Sequence, residues 1–254
     1  MRTASLVTSY IQAVIFVALG IRCVMTWRRD RDTRSSHLAW AASLYGVQSA
    51  INAISGTVYN AYAIPPQVAP RWIGILTTIM LYLAVYAFLL FLSDFIPFPK
   101  WIHVLLIVAT AVNVVLAIIE RIDFRIDLQT GKQTPIPGVH NPISFKTYLG
   151  YVLIYLAVAF GALAFAFLIY GLRSSGLARF RMLCIGSGFL VFFIVIGLIP
   201  RLIYGEQHPQ TFRTILNVLL YVAILVAPLL YVGFSPPKFV RARLSASSGA
   251  QVSQ

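Results

Sequence analysis

The sequence predicts an all-α integral membrane protein, a bundle of seven transmembrane helices. Three observations carry that reading. Of 254 residues, 59% are hydrophobic and only 11% charged, whereas a soluble domain carries about a quarter charged residues. The apolar residues gather into runs of about the length that a bilayer core requires. The basic residues sit mostly between those runs, where membrane topology and lipid headgroups explain them.

Seven runs emerge in order: 6–25, 38–64, 72–92, 101–119, 148–172, 182–203 and 214–234. The first is followed by the basic block "TWRRDRDTRSSH", unlike a cleavable leader, and is expected to remain as a span. The second is the least apolar. Proline-rich breaks bound the others: "IPPQVAPRW" before the third, "SDFIPFPKW" after it, and "GEQHPQTFR" before the seventh. Trp27, Trp72 and Trp101 fall at the expected interfaces, as amphipathic rings do.

Direction follows from lysine and arginine. The segments after spans one, three, five and seven, with Arg22, hold twelve basic residues; the opposite side holds eight. Four of those eight share a long loop with three acids. The amino terminus is therefore expected outside and the carboxyl terminus in the cytoplasm, with the chain crossing the plasma membrane.

Between spans four and five, "ERIDFRIDLQTGKQTPIPGVHNPISFK" is too long for a plain connector. Ile122, Phe124, Ile126 and Leu128 alternate with Arg121, Asp123, Arg125 and Asp127, and "QTGKQ" follows as a turn. The pattern predicts a short extracellular β-hairpin over the outer mouth of the bundle.

Polar groups within spans are costly and usually face protein. The second span carries Tyr45, Gln48, Asn52, Ser55 and Tyr59 at steps of three and four, one helical stripe expected to face the bundle. With Asn113, Tyr151, Tyr155, Arg201, Asn217 and Tyr221, the members from Gln48 on form the candidate ligand-binding set, a polar pocket open to the outside. The competing reading treats the same residues as ordinary interhelical hydrogen bonds.

Several chemistries are not expected. The four lysines lie at interfaces or in loops, which disfavours a retinal Schiff base. The four histidines offer no facing pair at depth for haem. Cys23 and Cys184, both in apolar runs, read as small buried hydrophobes. No hydrolase, P-loop or paired-carboxylate motif stands out, so no catalytic residue, metal or cofactor is assigned and an enzyme is not expected.

The pieces "FLLFLSDFIPFPKWIH" and "LLYVGFSPPKFVRARL" carry a resemblance. They are similar to the seven-span input region of bacterial sensor histidine kinases and diguanylate cyclases, where the last span ends in a Gly-Phe-Ala-Pro-Pro-like exit. Ser235 stands here in place of the usual alanine. The resemblance implies a sensory module of a two-component type that binds a small ligand and relays a helix movement through Pro236, Pro237, Lys238 and Arg241. The relatives continue into a transmitter domain, whereas residues 1–243 here form the bundle and 244–254 read as a disordered cytoplasmic tail. The expected partners are the bilayer, a separate cytoplasmic kinase or cyclase, and a second copy in a homodimer; nucleic acid is not expected. The alternatives are a small-solute transporter with a 3+1+3 helix arrangement, suggested by the shared proline–lysine–aromatic exits, and a non-catalytic structural membrane protein.

Overall fold

The computed structural model describes residues 2–61, 71–119, 124–126, 133–135 and 145–204, then 222, 225–226, 228–234, 236–240 and 242. Six long helices organise it: α1 (Arg2–Asp30), α2 (Thr33–Ala61), α3 (Arg71–Ser93), α4 (Lys100–Ile119), α5 (Phe145–Arg173) and α6 (Gly176–Tyr204). Five of them contain stretches long and apolar enough to cross a membrane: Tyr10–Arg29, Trp72–Ser93, Lys100–Ile119, Gly150–Arg173 and Gly176–Gly197. The chain is thus an all-α, multi-pass membrane protein by its helices. α2 is a helix of 29 residues but is absent from those five, because serine, glutamine, asparagine and threonine dilute it. Residues 214–221, 223–224 and 227 of the seventh run, the segment 205–213 before it and the tail 244–254 lie outside the described residues.

The helices outrun the apolar stretches that announced them. "TWRRDRDTRSSH" and "LRSSGLARFR" read as connecting segments, yet both are mostly helical. The links shrink to Arg31–Asp32 and Ser174–Ser175. Arginine is a good helix former, so basic residues extend the helices into the headgroup layer. The first link is closed locally. Arg31 takes a left-handed conformation (φ 54°), its N–H donates to Trp27 O at 2.7 Å, and its guanidinium lies over the Trp27 ring. Asp32 then caps α2, its Oδ1 accepting from Ser35 N at 2.8 Å. The second link turns on Gly176, also at φ 54°, where a side chain would be strained.

Phe124–Ile126 (β1) pairs antiparallel with Gln133–Pro135 (β2), Phe124 opposite Pro135 and Ile126 opposite Gln133. The residues that join the strands lie outside the described set.

α1 and α2 approach backbone to backbone. A Cβ on Gly20 would stand 3.0 Å from Ser43 Cα, and one on Gly46 would stand 2.9 Å from the Phe16 carbonyl carbon. Small residues permit such contact between helices in lipid, where packing rather than water exclusion drives association. α3 lies at the centre, touching α2, α4 and α5. Around it runs a continuous aromatic core: Phe16 on Tyr45, Tyr45 on Phe192, Phe192 on Phe160, Phe160 on Phe189, and Phe189 on both Phe88 and Phe167. Phe167 stacks on Phe91, which meets Phe234 edge-on. α4 is peripheral. Only Thr110, Asn113 and Ala117 are buried on it, while Val104, Leu105, Val108, Val112 and Val115 are exposed to what would be lipid.

His37 near the start of α2 bonds Asp94 just past the end of α3, Nδ1 to Oδ2 at 2.8 Å, and Arg34 lies over the Phe95 ring. This contact joins the start of α2 to the end of α3. A partly exposed pair of this kind at the edge of the bundle contributes up to about 1 kcal/mol. Asp94→Asn is therefore expected to lower unfolding stability in mixed micelles by no more than that, with the difference from wild type shrinking as salt is raised.

Candidate functional site

The polar residues that meet inside the bundle come from α3, α4 and α5. Thr110, Asn113 and Ala117 recur at steps of three and four, so one narrow face of α4 points inward. Thr110 Oγ1 donates to Leu106 O at 2.7 Å and lies 3.0 Å from Tyr155 Oη. Tyr155 meets Tyr82 edge-on, with centroids 5.9 Å apart. Tyr82 Oη is 3.2 Å from Tyr148 Oη, two turns nearer the start of α5 than Tyr155. Asn113 is only 4% exposed. Its Nδ2 donates to Ala109 O at 2.8 Å, and its Oδ1 has no hydrogen-bond partner among the described residues. A buried polar atom left unpaired costs about 1–3 kcal/mol.

Only part of the sequence-derived set enters this cluster. Asn113 and Tyr155 do. Tyr151 does not: it is 57% exposed, although it lies one turn before Tyr155 on the same side of α5. In α2 the expected stripe is displaced. Tyr45 is buried, but Ser49 and Ala53 take the close-contact line after it, and Asn52 is exposed. The reason is the close approach at Gly46, which leaves room for serine and alanine against α1 but not for amides. Gln48 is half-buried and accepts from Ser49 Oγ, while Ser55 donates to the Ile51 carbonyl of its own helix. Tyr59 and Arg201 belong to α2 and α6, with side chains outside the described set; Asn217 and Tyr221 lie outside it altogether.

Tyr82, Thr110 and Tyr148 complete the cluster without having been named as site residues. Tyr82 was hidden as one aromatic in the apolar run "MLYLAVY". Thr110 was legible through its spacing of three from Asn113.

At the other end, the proline exit is held by one side chain of α6. Gly233 O would normally accept from the amide four residues on, which is Pro237 and has no N–H. Arg181 of α6 fills the place: its Nε donates to Gly233 O at 3.3 Å and its Nη2 to Phe234 O at 3.5 Å. Gly233 is close against α6, where a Cβ would meet Ile185 at 2.7 Å and Arg181 O at 3.1 Å. Pro236 is buried and Pro237 half-buried, while Lys238 and Phe239 are exposed. Arg241 lies outside the described residues. Arg181→Met is expected to loosen the exit by about 1 kcal/mol, the guanidinium being exposed to solvent screening. Faster amide exchange at Phe239 and Val240 would record it.

No known family model matches this chain, and neither does any curated protein or solved structure. Among the described residues no group of three or more His, Cys, Asp or Glu side chains could hold a metal.

Proposed function

We propose that this chain is a membrane-embedded sensory module. A small ligand is recognised in the outer half of the bundle, at the α3–α4–α5 polar cluster, and the response leaves through the proline exit. On this reading the chain crosses the bilayer seven times, α2 and the 214–234 run included, with the amino terminus outside and the carboxyl terminus in the cytoplasm. The β1–β2 hairpin then lies on the outer side, above the cluster. The receiving partner is a separate cytoplasmic kinase or cyclase.

The observation that carries the reading is Asn113 Oδ1, a buried acceptor without a donor on the only inward polar face of a peripheral helix. A residue serving packing alone has no reason to keep that cost. α4 is held by few buried side chains, so it is the helix a ligand displaces most cheaply. Its movement reaches α3 and α5, and the aromatic core ties both to Phe234 beside the exit. A signal arises only if the ligand binds two arrangements of the bundle with different affinity.

The test places a photo-crosslinking residue at Phe239, exposed at the exit, in native membranes. Capture of a kinase or cyclase, lost in Arg181→Met, supports the reading. Accumulation of a labelled solute by vesicles containing the protein, with no such capture, replaces it with transport.

A further inference from the structure

The sensory reading leaves the ligand's chemistry open, and the proton inventory of the cluster narrows it. Thr110 has one hydroxyl proton, and Leu106 O takes it at 2.7 Å. The contact of 3.0 Å between Thr110 Oγ1 and Tyr155 Oη must then be donated by Tyr155. Tyr155 has no second proton, so its oxygen presents lone pairs only. The orientation of the Asn113 amide is fixed by Ala109 O at 2.8 Å, since a carbonyl accepts and cannot face Oδ1 at that distance. Oδ1 is therefore an acceptor as well, one turn along the same helix face from Thr110. Asn113 Oδ1 and Tyr155 Oη can therefore take a further bond only from a donor.

The charge balance points the same way. Tyr82, Thr110, Asn113, Tyr148 and Tyr155 are all uncharged side chains, and a buried ion among them would receive no counter-charge from these five. We infer that the α3–α4–α5 cluster recognises a small uncharged molecule through that molecule's own N–H or O–H groups, carboxamides and alcohols being the simplest members of the class. This rests on the sensory reading for its purpose but not for its chemistry. An acceptor elsewhere on the ligand is tolerated, because Asn113 Nδ2 keeps a second hydrogen. Anions are selected against, since they offer no proton to Oδ1 or to Tyr155 Oη.

Acetamide and acetone test the inference as a pair of nearly equal shape, the first with an N–H₂ donor and the second without. The full chain in lipid nanodiscs, carrying fluorotyrosine, is titrated with each and with acetate. The Tyr155 fluorine resonance is assigned by its loss in Tyr155→Phe. The expected result is a saturable shift with acetamide that is about tenfold weaker with acetone and absent with acetate. In Asn113→Leu the acetamide response is expected to weaken by about the same factor. Equal responses to acetamide and acetone, a response to acetate, or none to acetamide would each overturn the assignment, and the three ligands are compared on the unaltered chain. A spin label at Lys238→Cys separates the two claims. Acetamide binding without movement of that label removes the sensory reading and leaves the ligand class standing.

Discussion

Phe189→Ala is expected to lower stability in mixed micelles by about 3 kcal/mol, the low end of what such truncations cost in soluble cores. Phe189 is fully buried and touches Phe88, Phe160 and Phe167, so it joins α3, α5 and α6. Lipid tails are as apolar as the core, so little transfer energy is lost. What is lost is dispersion contact with three rings and the filling of the space they enclose. Ile107→Ala, on the exposed side of α4, is the control and is expected to change stability little. Equal costs at the two positions would mean that the aromatic core is not where the helices are joined.

The second large effect is expected at Gly46. Gly46→Ala puts a methyl group 2.9 Å from both the Phe16 carbonyl carbon and Val17 N, backbone atoms that cannot rotate away. Overpacking of this kind costs about 1–3 kcal/mol, and Gly46→Leu forces α1 and α2 further apart. Gly74 has no neighbour within 4 Å of a built Cβ, so Gly74→Ala is expected to stabilise α3 by up to about 1 kcal/mol through helix propensity. Opposite signs at the two glycines, read by the same unfolding titration, would confirm the close helix approach. A neutral Gly46→Ala would show that α1 and α2 stand further apart than described.

Composition and periodicity sufficed for the membrane class and for most helix positions, because twenty apolar residues leave a chain few choices. They misjudged the links, since charge marks where lipid ends and not where a helix ends. The Arg28–Arg29 and Arg179–Arg181 stretches are helical despite their charge. Within the site, Asn113 and Tyr155 were legible as polar groups at depth. The stripe in α2 was legible as a stripe but not in its facing. Periodicity finds a face; which neighbour covers it depends on contacts such as Gly46 on Phe16, set by residues far away in sequence. Tyr82 was invisible for a different reason: a phenol counts as apolar until its hydroxyl is seen to have a partner, and here that partner is 66 positions along the chain.

The guanidinium of Arg181 stands in for an amide that Pro237 cannot supply. The terminal geometry of this chain is therefore not encoded by its last helix alone. A chimera that grafts the final helix and its proline pair onto a foreign anchor would lose that geometry, whereas a graft carrying α6 as well would keep it. The smallest transplantable unit is a pair of helices.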